Sequence, residues 1–170
     1  MKAAIPSTLS VLRGAAAPPL VAGIVLDRPS WAVAALGYAC VTDLADGYLA
    51  RRLGVVSSLG AYCDVTADFA VVLAGFTAFA WRGVYPWWTV LMIGLMFAQF
   101  VVTSRVGRPV YDPVGKYYGA LLFGAIGATV LLPDSAVYEA VLAGLVACTL
   151  ASVITRTRHL GAQRRASRVA

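Results

Sequence analysis

The chain has 170 residues, 60% of them apolar and 13% charged, with a mean hydropathy of +0.77. A soluble domain averages about 45–50% apolar and about 25% charged, so this chain has too little polar surface to cover itself in water. An all-α integral membrane protein is the first expectation. The net charge of +6 is not read as a nucleic-acid footprint, because membrane proteins place positive charge for topology and for anionic headgroups.

A short amphipathic lead, PSTLSVLRGAAAPP, opens the chain and passes into a first span over about residues 12–27, interrupted by Pro18 and Pro19. The small residues Ala15 to Ala17 lack the preceding apolar run of a cleavable signal, and none is expected. After the turn DRPS, Ser30 is placed to cap a second helix through about Leu53. GVVSSL reads as a loop, and a third span covers about 60–81, ending near Arg82 and Gly83.

A fourth span runs from about Tyr85 to Ser104, with Trp87 and Trp88 set as an interfacial belt. RVGRPVYDP is the next loop, followed by a fifth span over about 114–132. PDSA is a turn with Ser135 as cap, and a sixth span covers about 136–155. The tail, about 156–170, is basic and expected to fray, and His159 within it reads as an exposed bystander. Cys40, Cys63 and Cys148 lie inside apolar runs at no metal-ligand spacing and read as small buried hydrophobes. The expectation is one membrane domain over residues 1–170, six transmembrane helices behind the lead, with no internal repeat.

Six spans put both termini on one side. That side collects Lys2, Arg13, Arg51, Arg52, Arg105, Arg108, Lys116, Arg156, Arg158, Arg164, Arg165 and Arg168, against Arg28 and Arg82 on the other. The bias makes both termini cytoplasmic in a cell membrane. The cytoplasmic ends of the second and third spans then carry DLADGYLARRLGVVSSLGAYCDVTAD, residues 43–68, with four aspartates.

A carboxylate in or near hydrocarbon costs several kcal/mol unless paired, hydrated or bound to a cation. Asp43, Asp46, Gly47 and Ala50 share one helical stripe, with Arg51 at its edge, and Gly60, Asp64 and Asp68 share another. Two facing helices can bring the four carboxylates together. Such a cluster suits hard divalent ions with oxygen ligands, and two ions about 3.5–4 Å apart suit phosphoryl transfer. Pairing with Arg51 and Arg52 is the plainer alternative. Gly47 and Ala50 leave a notch where a ring or ribose can approach the backbone, and Gly60 opens the facing helix.

These eight positions, Asp43, Asp46, Gly47, Ala50, Arg51, Gly60, Asp64 and Asp68, reproduce without a gap the signature D-x2-D-G-x2-A-R-x8-G-x3-D-x3-D. The chain thereby resembles the CDP-alcohol phosphatidyltransferases, a family of six-helix membrane enzymes. The resemblance implies transfer of a phosphatidyl group from CDP-diacylglycerol to an alcohol, with release of CMP, at two Mg²⁺ or Mn²⁺ ions. It implies that Asp43 and Asp64 bridge the ions, that Asp46 and Asp68 complete them, and that Asp68 is also the general base. Gly47, Ala50, Arg51, Ser57 and Gly60 would then border the CDP part of the donor, and a homodimer is expected by analogy.

The lead resembles the P-N-x-L-T-x-x-R-x-x-x-x-P opening of glycerophosphate-using members, with Ser7 and Ser10 in place of Asn and Thr. The third helix departs from their D-P-x-A-D-K, having Val65 for Pro and Phe69 for Lys. Arg105, Arg108, Lys116 and Arg156 stand at the cytoplasmic rim as candidates for an acceptor phosphate, although Lys116 can also pair with Asp112. Glycerol 3-phosphate is the first acceptor expected and inositol phosphate the second. A small cation carrier would use the same aspartates, but it would need ligands at the membrane midplane and usually repeated halves.

Overall fold

The computed structural model describes the backbone of residues 13–53, 58–104 and 113–169; of these, the side chains of 46, 47, 49–51, 53, 58–63, 100, 102–104, 113–117 and 155–169 fall outside the description. The described residues form six helices and no strand: α1 (Ala17–Val25), α2 (Pro29–Leu53), α3 (Ser58–Trp81), α4 (Trp88–Ser104), α5 (Pro113–Leu131) and α6 (Ser135–Val169).

Punctuation in the sequence sets most of these boundaries. Pro18 and Pro19 occupy the first turn of α1, where a missing N–H costs nothing. Pro29 opens α2, so Ser30 is not its cap. The carbonyl of Arg28 accepts instead from Trp31 and Ala32. Ser135 is likewise not the cap of α6: Asp134 is, its Oδ1 accepting from the Ala136 N–H at 2.7 Å. Of the expected loops, residues 54–57 and 105–112 lie outside the described residues.

Two helix ends are closed by the same hydrogen-bond pattern and then tied together. After α1, Arg28 N–H donates to Gly23 and Asp27 N–H to Ile24, with Asp27 at φ 55. After α3, Val84 N–H donates to Phe79 and Gly83 N–H to Ala80, with Gly83 at φ 74. Both are Schellman closures, which satisfy the last carbonyls through one left-handed residue. Nη1 of Arg82 joins them, donating to the Ile24 carbonyl at 3.0 Å and to Asp27 at 2.9 Å.

Helix α3 packs against α1, α4 and α5, α1 lies against both α2 and α3, and α6 packs on α5 and α4. Leu20, Ile24, Ala35, Val71, Phe76, Ile93, Leu122, Ile126 and Leu145 supply much of the buried core. Phe76, Phe79, Tyr85 and Tyr138 form an aromatic knot, and Tyr85 Oη lies 2.6 Å from Thr129 Oγ1, so the α3–α4 connection is held onto α5.

Two helical segments, Asp64–Trp81 and Ser135–Ile154, are long and apolar enough by length and composition to cross a membrane, with shorter apolar stretches at Trp88–Gln99 and Tyr118–Leu131. Helix α2 falls short of that measure because the charges near its C-terminal end lower its hydropathy. Of the first span expected over 12–27, the nine-residue α1 accounts for about 13 Å, with a turn on either side. Large apolar side chains nevertheless face outward along the bundle, among them Val41, Leu44, Leu91, Leu95 and Leu150. Trp31, Trp81, Trp87 and Trp88 are all exposed at the end that holds Arg82 and Asp27, where interfacial aromatics are expected.

Two further expectations are corrected. Cys40 is exposed and Cys148 only partly buried: in a chain whose outer surface is itself apolar, an apolar neighbourhood in sequence does not mean the interior. The tail does not fray at 156, since α6 continues unbroken to Val169.

Helices α1 and α2 meet backbone to backbone at Gly23. A Cβ there would lie 2.5 Å from the Ala32 amide nitrogen and 3.0 Å from its Cα, neither of which can rotate away. Gly23→Ala should therefore cost about 1–3 kcal/mol in thermal unfolding of the detergent-solubilised protein. Gly94→Ala, with nothing within 4 Å of the new methyl, should be neutral or mildly stabilising. Equal effects would contradict the close approach.

Candidate active site

Three of the four signature aspartates converge. Asp43 sits on α2, one residue after Thr42, whose buried hydroxyl donates back to the carbonyls of Tyr38 and Ala39 at 2.9 Å. Asp64 and Asp68 are one turn apart on α3. Phe69 follows Asp68 and stacks on Phe97 of α4, ring centroids 3.8 Å apart, which fixes the rotation of α3 at this level.

The group on which they converge is Arg13, at the entry to α1. Its Nη1 donates to Asp68 Oδ1 at 2.6 Å, and its Nη2 lies 3.1 Å from both Asp64 Oδ1 and Asp43 Oδ1. The arginine side chain is fully buried, while the side chains of Asp43, Asp64 and Asp68 remain 52%, 34% and 32% exposed. One guanidinium thus links two helices through three carboxylates, and each carboxylate keeps an open side. The position of Arg13 follows from α1: Ala16 N–H donates to the Arg13 carbonyl at 2.9 Å, and Leu20 and Ile24, one and two turns on, are buried in the core.

Arg13 is the residue whose role sequence reasoning misses. A count of cations for topology puts it on the side of the aspartates without giving it a partner, and the structure seals it against them. The lead PSTLSVLRGAAAPP holds the signal, since it places an arginine just before a helix that packs against both aspartate-bearing helices. Arg51 and Arg52 are the partners that nearness in sequence suggests. Arg52 instead stands over the Tyr48 ring at 5.9 Å, and the Arg51 side chain lies outside the described residues.

The donor set is chemically suited to a hard divalent cation, being carboxylate oxygen throughout and already gathered on one positive group. Among the described residues no three acidic, histidine or cysteine side chains form a ready metal cage as they stand. Asp46 is on α2 with its side chain outside the description, and Gly47, Ala50 and Gly60 are placed by backbone alone. Ser57, Arg105 and Arg108 lie outside the described residues. Lys116 and Arg156 are placed on α5 and α6 by backbone alone.

Residues 3–155 match the family described as CDP-alcohol phosphatidyltransferase. The chain belongs to that family. Among curated relatives, it is 34% identical over 112 residues to a cardiolipin synthase (CMP-forming) of Streptomyces coelicolor, covering 61% of this chain and 51% of the relative. It is 32% identical over 130 residues to a probable phosphatidylglycerophosphate synthase of Mycobacterium tuberculosis, covering 74% and 61%. A CDP-diacylglycerol–glycerol-3-phosphate 3-phosphatidyltransferase of Cereibacter sphaeroides is 34% identical over 109 residues, covering 61% and 49%. The chain spans about half the length of these relatives. No solved structure matches it.

Within this family the two departures in the third helix acquire a physical setting. Phe69, at the position of the expected lysine, is stacked into the α3–α4 contact. Val65, at the position of the proline, is partly exposed, and it leaves the N–H that a helix interior uses.

The contacts also rank the aspartates. Asp68 makes the shortest bond to Arg13, whereas Asp43 is half-exposed and shares Nη2 with Asp64. In EDTA, Asp68→Asn should lower stability by about 1.5–3 kcal/mol, the range for a hydrogen bond to a charged group. Asp43→Asn should cost under about 1 kcal/mol, as an exposed ion pair does. Thermal unfolding in matched detergent reads the order, and the reverse order would refute the assignment.

Proposed function

We propose that this protein transfers a phosphatidyl group from CDP-diacylglycerol to a glycerol-bearing acceptor, releasing CMP, with glycerol 3-phosphate the first acceptor. The observation that carries the reading is the convergence of Asp43 on α2 with Asp64 and Asp68 on α3, in a chain that belongs to this family. Carboxylate oxygens gathered in this way suit hard divalent cations.

Asp43, Asp46, Asp64 and Asp68 would hold two divalent ions, Mg²⁺ or Mn²⁺, whose charge would neutralise the donor's pyrophosphate and the departing CMP. The rest of the reaction belongs to the chain. The acceptor hydroxyl oxygen forms a bond to the phosphatidyl phosphorus as the bond from that phosphorus to the CMP oxygen breaks. Asp68 takes the hydroxyl proton on a carboxylate oxygen. Of its two carboxylate oxygens, Arg13 engages Oδ1 in this structure. Gly47 and Ala50, on the stripe of Asp43, leave room for the nucleotide, with Arg51, Ser57 and Gly60 beside it. Arg105, Arg108, Lys116 and Arg156 are the cations proposed for an acceptor phosphate.

Glycerol is favoured over inositol by the relatives. One is named for glycerol 3-phosphate, one for phosphatidylglycerophosphate and one for cardiolipin. The cardiolipin synthase name also raises phosphatidylglycerol as an acceptor, which would need no cationic rim for a free phosphate monoester. We further propose six membrane crossings, a homodimer, and a site on the cytoplasmic face.

The test is direct. Purified protein with labelled CDP-diacylglycerol is offered glycerol 3-phosphate, phosphatidylglycerol, inositol phosphate, inositol and serine in parallel, with and without chelator. Turnover should be greatest with glycerol 3-phosphate, vanish in EDTA and return with Mg²⁺ or Mn²⁺. Asp68→Asn should cut turnover by the roughly 10²–10⁴ typical of general-base removal while donor binding persists. Full activity in excess chelator would overturn the metal reading, and transfer to inositol phosphate alone would overturn the acceptor.

Orientation has its own measurement. A cysteine at position 28, in a background lacking the native cysteines, should be labelled by an impermeant thiol reagent from outside intact cells. One at position 165 should react only after lysis. The opposite pattern would place the aspartates on the wrong face for cytoplasmic CDP-lipid chemistry.

A further inference from the structure

Nη2 of Arg13 is shared at 3.1 Å between an oxygen of Asp43 on α2 and an oxygen of Asp64 on α3, and Nη1 lies 2.6 Å from Asp68. A cation bridging the two helices would draw on these same three carboxylates. Divalent ions hold carboxylate oxygens at about 2.0–2.6 Å, so an ion taking up the two Oδ1 atoms that Nη2 now joins would fall against that nitrogen. Two positive groups at such separation repel strongly where solvent is excluded, and Arg13 is fully buried.

Its backbone is not free to retreat. The Arg13 carbonyl accepts from Ala16, the Ala16 carbonyl accepts from Leu20, and Leu20 is buried. The side chain is the part that can move.

We propose that the Arg13 guanidinium and a bridging divalent cation are alternative occupants of one carboxylate cage, so that metal binding and withdrawal of Arg13 form a single coupled equilibrium. The inference rests on the metal reading given above and adds a residue to it. Arg13 is then the protein's own counter-ion. It links α2 and α3 before metal arrives, and it lowers the apparent metal affinity in proportion to the fraction of molecules in which the cage stands open. Metal binding frees a guanidinium beside the aspartates, where a phosphate-bearing substrate brings matching charge.

The experiment uses the full chain in detergent with Mn²⁺ as probe, titrated by electron paramagnetic resonance, and Asp43→Asn to identify the binding that belongs to this site. Arg13→Gln should bind Mn²⁺ at least tenfold more tightly than the unaltered protein. It should also unfold at lower temperature in EDTA, with that deficit shrinking at saturating Mn²⁺, because a contact already displaced by metal contributes nothing to the loaded form. Arg13→Lys, which keeps the charge but offers one nitrogen where the guanidinium presents a fork, should bind Mn²⁺ several-fold more tightly than the unaltered protein and serves if the glutamine variant does not fold.

Unchanged or weaker Mn²⁺ binding in these variants, or a stability deficit equal in EDTA and Mn²⁺, would overturn the inference. Arg13 would then sit beside the ion and orient its ligands. That outcome leaves the metal reading standing. Absence of any Mn²⁺ binding that Asp43→Asn removes, in the unaltered protein and the variants alike, would end both.

Discussion

The contact on which the rest depends is the three-way ion pair of Arg13 with Asp43, Asp64 and Asp68. Carboxylates gathered from two helices repel, and in a low-dielectric setting that repulsion would drive Asp43 on α2 away from Asp64 and Asp68 on α3. A single guanidinium inserted from a third segment reverses the sign of the interaction. Arginine suits the position because its planar fork presents several donors to different oxygens at once, where lysine offers a point charge. A buried ion pair contributes little net stability beside an apolar substitute, yet leaving one partner alone is strongly destabilising. The arrangement therefore holds the helices in register rather than adding bulk stability.

The short α1 makes this geometry available. It lies between α2 and α3, touches the α2 backbone at Gly23, and is anchored by Leu20 and Ile24. At its far end, Arg82 ties the Ile24 carbonyl and Asp27 to the end of α3. Both ends of α1 are thus fixed to the helix that bears Asp64 and Asp68, one through Arg13 and the other through Arg82. A site held this way sits on helices whose packing predetermines where the carboxylates point, which is what a phosphoryl-transfer centre needs. The partial exposure of the three aspartates fits the proposed site, which substrate and ions would have to reach.

Much of this is legible in the sequence. The signature at residues 43–68 places its aspartates by helical stride, and a stride of three or four residues is enough to put them on a shared face. Pro29, Pro113 and Gly83 mark helix boundaries because their backbone restrictions act locally. The role of Arg13 is less legible, since a count of cations for topology gives its side of the membrane and takes no account of which helix packs where. The caps are misread for a related reason: Ser30 and Ser135 each have a competent neighbour, Pro29 and Asp134, and only geometry selects between them. Cys40 shows the remaining gap. In a chain that is apolar inside and out, hydropathy separates membrane from water but not core from surface.

A double-mutant cycle between Arg13 and Asp68 tests the central claim most directly. Stability is measured in EDTA for the unaltered protein, Arg13→Gln, Asp68→Asn and the pair. If the guanidinium holds the two helices through this bond, the two losses will fall short of additivity by at least about 1.5 kcal/mol, the lower end for a hydrogen bond to a charged group. Additivity within about 0.5 kcal/mol, the behaviour of sites that do not touch, would contradict it.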